Sequence, residues 1–324
     1  MRPRAFLSFK SFVNRSAGSR SHFPASLLLC LALGLLPGCG GKTSAIPGRT
    51  EDSQTSGRIQ IVVVPELQAM LEREVEAFTT MYPQAHVTVR VGSSREAVSA
   101  LLSKQADLAV VGRELEPEER TVQVEGGMEL EGYRFARDGI CIVVHPANPI
   151  ESISIDDLHR IYSNQTHDWR ELHVRAGAIE PVVQPAGEDL SMAFSQRVLG
   201  GDAPTAPAFR AAGDAEVIDR VRRTPGAVGY VSMASSTEGV KRLRLSALRG
   251  LPDWNADAEK VYKGEYPLTR NYSMYVRSAG PDLADGLVTF VSSRDGQKLV
   301  HEAGAVPITI PVRFARRSPM LGSH

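Results

Sequence analysis

The side chains able to do chemistry in this sequence are spaced for binding rather than for catalysis. Between residues 58 and 311 the histidines are His86, His145, His159, His167, His173 and His301, and none has the HExxH or Cys/His spacing of a zinc site. Cys141 sits inside Gly-Ile-Cys-Ile-Val-Val, the pattern of a buried strand in which cysteine is a small hydrophobe. Asp156-Asp157 opens a predicted helix and is better explained as capping than as an acid/base pair. Gly126-Gly127 lacks the strand-glycine-helix context of a phosphate loop, and no nucleophile stands beside a base. The sequence therefore predicts no enzyme, no metal and no cofactor. What remains is a set of polar groups in turns that follow predicted strands: Pro65-Glu66, Gly92-Ser93-Ser94 and Gly112-Arg113. Ser93 and Ser94 join hydroxyls to the free amides of a helix start, which attract anions. Arg113 supplies a planar fork of donors. The alternatives are a serine that only caps its helix and an arginine that is merely ion-paired.

Those turns need elements to hold them. Residues 58–64 alternate as a strand, and Leu67, Met70, Leu71, Val75, Phe78 and Met81 follow at helical spacing up to Pro83. A half-buried strand at 86–91, a helix through Leu102 and a strand at 106–111 complete a first β/α unit. A second begins at residues 138–145, with helices predicted at 155–162 and 188–199 and strands near 181–184 and 227–231. A late strand at 272–276 precedes a single helix over 281–303. Strands and helices alternating at these lengths imply parallel pairing in an open α/β sheet. Such sheets bind ligands beyond the carboxyl ends of their strands, where the three turns fall.

Composition agrees with a globular body: 324 residues, 42% hydrophobic and 23% charged. Lys and Arg equal Asp and Glu at 37 each, yet residues 1–38 hold five of the basic groups and no acid. The rest is mildly acidic, which argues against a nucleic-acid partner or an anionic membrane surface. The basic start leads into an uncharged run, Pro24 to Leu36, too short to span a bilayer comfortably and suited to a signal peptide. Its end, Leu36-Pro37-Gly38-Cys39, resembles the bacterial lipobox, which implies lipidation of Cys39 and a membrane contact through an N-terminal lipid only. Gly40 in place of aspartate favours the outer membrane of a bacterial envelope. Residues 39–57 are Gly, Ser, Thr and Pro rich and are expected to form a flexible tether. The basic tail at 312–324 is expected to be disordered.

The order of segments resembles the phosphate-type substrate-binding proteins of ABC transporters. The likeness is carried by Ala106-Asp-Leu-Ala-Val-Val-Gly-Arg-Glu-Leu115, Asp138-Gly-Ile-Cys-Ile-Val-Val-His-Pro-Ala-Asn-Pro149, Ile153 to Ser163 with Asp168-Trp169, Thr224 to Ser232, Glu265-Tyr-Pro-Leu268, and Asp295 to Val300 with Gly304-Ala-Val-Pro307. It implies a two-lobed type II periplasmic-binding fold, each lobe an open mostly parallel sheet flanked by helices. Lobe 1 would be residues 58–145 plus 262–311 and lobe 2 residues 146–261, with one crossing at 146–149. It also implies a small-molecule ligand in the cleft, phosphate or a related oxyanion, and an ABC permease as partner. The implied ligand contacts are Ser93, Ser94, Arg113, Gln184 and Gly187.

The resemblance breaks at the lobe 2 loop. Family members usually carry an Arg-x-x-Gly-Ser-Gly-Thr type motif there, whereas this chain has Gln184-Pro-Ala-Gly-Glu-Asp-Leu190. With Glu66 after the first strand, three carboxylates stand near the expected site in place of lost hydroxyls. A carboxylate ~4 Å from a bound anion costs roughly 1 to 4 kcal/mol per charge pair, unless these acids merely complement a helix dipole from the solvent side. Two functions stay open: a phosphate-type solute-binding protein, or a diverged lipoprotein with another ligand or none, serving as an envelope sensor or interaction partner.

Overall fold

The computed structural model describes residues 52–175 and 177–309. The expected signal segment, Cys39, the first part of the expected tether and the basic tail lie outside the described residues. The tether's expected end does not: residues 52–56 are seated on the body, where Asp52 accepts the Asp282 amide at 3.0 Å and Gln54 packs on Gly286.

The chain opens with β1 (Gly57–Val63), α1 (Gln68–Met81), β2 (Ala85–Val91), α2 (Ser94–Leu102) and β3 (Leu108–Val111). β1 pairs in parallel with β2 on one side and β3 on the other, as the alternation predicted. α3 (Pro117–Glu125) was not legible, because it buries no residue and so leaves no apolar period. β4 (Leu130–Val144) is fifteen residues long, about twice the expected strand. Then come β5 (Ser152–Ser154), α4 (Ile155–Tyr162), β6 (Glu180–Val183), α5 (Asp189–Val198), β7 (Phe209–Arg210), α6 (Asp214–Arg223), β8 (Ala227–Ser232), β9 (Lys241–Arg242), β10 (Arg244–Ser246), β11 (Asp253–Trp254) and α7 (Ala258–Lys263). β12 (Thr269–Arg277), α8 (Asp282–Ser292), α9 (Arg294–Glu302) and β13 (Val306–Pro307) close the described chain.

The helix expected over 281–303 is therefore two. Ser293 leaves helical geometry at φ −72°, ψ 172° and caps α9 by accepting the Gly296 amide. Gly296 lies against the backbone of Phe290 and Val291 so closely that no Cβ would fit, which fixes how α9 folds back on α8.

Among the described residues ten strands form one sheet, running β2-β1-β3-β12-β4-β8-β6-β7 with β13 and β9 also on β4. The outer strands on both sides pair in parallel, while β12 and β4 pair antiparallel with their neighbours. β4 serves both halves. Residues 130–139 pair with β12, and Ile140 to Val144 pair with β8. One strand thus pairs with both halves, ahead of the prolines at 146 and 149.

Each half has its own core. Ile59, Leu71, Phe78, Leu101, Val110 and Leu287 belong to the first. In the second the pleat of β4 sorts its side chains: Ile140, Ile142 and Val144 join Trp169, Phe194 and Tyr230 on one face, and Cys141 and Val143 join Val217 and Val221 on the other. A sheet covered on both faces explains the unbroken apolar run at 140–144. Burial pushes the Cys141 thiol up to about 12, so it stays protonated and inert.

Candidate functional site

The site forms where the carboxyl ends of β1 and β3 meet the start of α5. Ser93 and Ser94, paired in the sequence, do different jobs. Ser93 is exposed and caps α2: its Oγ accepts the Glu96 amide, and Glu96 accepts the Ser93 amide at 2.7 Å. Ser94, buried, donates its hydroxyl at 2.5 Å to Oδ2 of Asp189, a residue of the other half. The Gly112 amide donates to the same oxygen at 2.6 Å. Arg113 is held in place by a two-pronged contact to Glu119 at 2.7 and 2.8 Å, and its Nε faces Asp189 Oδ1 at 3.4 Å. Burial opposes the Arg113 charge, but the Glu119 contacts outweigh it and raise its pKa further. A Cβ on residue 112 would stand 2.5 Å from Glu66 Oε1 and 3.0 Å from Asp189 Oδ2, so only glycine admits the carboxylate here.

The remaining expected contacts lie elsewhere. Gln184 is buried within the second half, donating from Nε2 to Asp214 at 2.7 Å and to the Tyr230 carbonyl at 2.9 Å. Gly187 is exposed, with no atom near the place a Cβ would take. The structure thus brings Ser94 and Arg113 together at Asp189, puts Gln184 in the lining of a neighbouring cavity with Glu66 and Asp214, and leaves Ser93 and Gly187 exposed.

The three acids divide in the same way. Asp189 turns inward, 3% exposed, while Glu188 is exposed. Glu66 meets Arg270 in a two-pronged pair at 2.8 and 2.9 Å, and Arg270 also donates twice to Asp138 at 2.8 and 2.9 Å. Asp138 in turn accepts the Ser232 hydroxyl at 2.9 Å and the Met233 amide at 3.1 Å. Burial works against the charge on Arg270, yet Glu66 and Asp138 hold it protonated well above its ordinary range. Sequence reading had no means to find Arg270, whose partners are 132 and 204 residues away. Next to this cluster opens a cavity of about 630 Å³, with Glu66, Glu188, Asp214 and Arg73 among its charged lining residues.

Two α/β halves sharing a strand, with donors from one half closing on an acid from the other, define a two-lobed binding protein of the type II periplasmic kind. Residues 48–295 match the family model described as the PBP superfamily domain, and the chain belongs to that family. It is 23% identical over 296 residues to the phosphate-binding protein PstS of Pseudomonas aeruginosa, covering 85% of this chain and 90% of that one. PstS of Bacillus subtilis is 24% identical over 290 residues, covering 87% and 93%. Among solved structures, a Clostridium perfringens protein with bound phosphate superposes with a TM-score of 0.67 at 20% identity, over 78% of this chain and all of the other. An ABC-type phosphate transport receptor from Vibrio cholerae gives 0.66 at 23%, over 76% and 99%.

Proposed function

We propose that the protein is the extracytoplasmic solute-binding component of an ABC importer, lipid-anchored through Cys39, and that it takes phosphate or a related oxyanion between its lobes. The observation that carries this reading is the convergence of the Ser94 hydroxyl, the Gly112 amide and the Arg113 guanidinium on one carboxylate. A carboxylate is itself an oxyanion, and hydroxyl, amide and guanidinium donors around it are the donor set that phosphate needs. The relatives it matches over nearly their whole length are phosphate-binding proteins, which supports the same ligand class.

Inorganic phosphate at millimolar concentration should raise the melting temperature of the full-length protein, while amino acids should not. A ligand at 100 times its dissociation constant stabilises by about 2.7 kcal/mol, easily read as a shift in melting. No shift at any phosphate or sulfate concentration would remove the oxyanion reading. The second reading, a diverged lipoprotein that senses or docks rather than transports, draws on the acids in the cavity lining and on Asp189 itself.

The anchor has a separate test. Cys39→Ala should leave the protein unprocessed or release it from the membrane fraction; fractionation and processing identical to the wild type would exclude lipidation at this residue.

A further inference from the structure

We propose that Asp189 is a tethered stand-in for the anionic ligand. Its carboxylate takes the place of an oxyanion, joins the two halves without solute, and sets a high concentration threshold for any oxyanion that enters. This rests on the reading of the cleft as an oxyanion site.

The donors that hold Asp189 come from the first half, the Ser94 hydroxyl and the Gly112 amide, whereas Asp189 begins α5 in the second. Such a contact across the cleft is what a bound solute provides in a two-lobed protein that closes on its ligand. The fit is incomplete in an informative way. Asp189 Oδ1 and Arg113 Nε are both buried and neither has a hydrogen-bond partner, although they face each other at 3.4 Å. A planar carboxylate fixed to a helix satisfies two donors and leaves the third short; a free tetrahedral anion has more acceptors and can shift to meet all three. Gly112 leaves just enough room for the carboxylate, as its absent Cβ shows. The neighbouring acid, Glu66, is paired in two prongs with Arg270, while burial raises its pKa and the Asp189 charge adds to that rise.

Asp189 and a second anion cannot share the cradle, because two like charges would meet there with one guanidinium between them. Binding is therefore exchange. The apparent affinity equals the intrinsic affinity multiplied by the fraction of molecules in which Asp189 has swung out. A tethered group acts at high effective concentration, so an occupancy of roughly nine-tenths or more weakens oxyanion binding at least tenfold.

The experiment is calorimetric titration of the full-length chain with inorganic phosphate, in wild type, Asp189→Gly and Asp189→Asn, with amide hydrogen exchange followed at residues 108–113. Asp189→Gly should bind phosphate at least tenfold more tightly than wild type, with Asp189→Asn between them. Without phosphate, both variants should lose protection at the Gly112 amide. Equal phosphate affinity in all three proteins would overturn the proposal while leaving the oxyanion site in place. If none binds phosphate, the reading of the cleft fails, and exchange decides the stand-in: faster exchange at Gly112 in both variants supports a latch between the halves, and unchanged exchange overturns it. Asp189→Asn keeps the side chain's shape, so the comparison survives should the glycine variant fold poorly.

Discussion

Arg270→Met should destabilise the protein by about 3–5 kcal/mol, the effect of removing one partner from a buried ion pair. The arginine side chain is 3% exposed and Asp138 is fully buried, so the substitution strands a carboxylate with only Ser232 and Met233 as donors. Glu66, at 30% exposure, can recover water and adds less to the loss. The measurement is the urea midpoint, compared with Arg223→Ala. Arg223 pairs with Asp219 on the surface, and its removal should change stability by no more than about 0.5 kcal/mol. Similar midpoints for the two variants would show that the Glu66–Arg270–Asp138 cluster carries no special weight.

Stability should also fall as the pH rises from about 4.5 to about 8, and Glu74 should account for much of the fall. It lies one helical turn from Met70 and one from Phe78, on the face of α1 that meets the first core, 1% exposed and with both carboxylate oxygens unpartnered. Burial raises its pKa from the ordinary 4.5 to about 8, with Arg73 giving partial relief. The folded state thus favours the neutral acid. Its contribution is complete below about pH 4.5, declines as pH rises through the folded value, and is level above it. The slope is about 1.4 kcal/mol per pH unit in that window, or roughly 5 kcal/mol across it. Glu74→Gln should be indistinguishable from wild type near pH 4 and clearly more stable at pH 8 to 9 by urea denaturation. Parallel pH profiles for the two proteins would place the Glu74 carboxyl in water.

How much of this could be read in advance depended on sequence distance. β1, β2 and α2 announce themselves through local period and the Ser93–Glu96 capping pair, and Ser94 and Arg113 are visible as polar groups at turns. α6 was missed because only Val217 and Val221 are buried among many charges, and α3 because nothing is. Asp189 was seen but not its direction: an acid in a helix's first turn has the same local pattern whether it faces solvent or the opposite lobe. Met81 continues the apolar spacing of α1 and yet is 52% exposed, since the helix ends as it leaves the core. Glu74 shares that helix's buried face, against the usual preference for keeping acids out. The prolines at 146 and 149 mark extended chain and so drew the expected crossing, while nothing in the sequence of β4 shows that its pairing changes from β12 to β8 at Ile140.

The position of β12 constrains the order in which the molecule can be made. The first half is built from the beginning of the chain, but β12, α8 and α9 reach it only from the far end. As a nascent polypeptide emerges, β3 can pair with β1 on one side, but its other edge and the first part of β4 stay open until residues 269–277 arrive to lie between them. The waiting segment Leu108 to Val111 is wholly apolar, the kind of open edge that recruits other chains. The N-terminal half therefore cannot fold ahead of the rest, as separate domains commonly do during synthesis. The first half of the chain therefore has to wait, with its apolar edge uncovered, until the strand at 269–277 has been made.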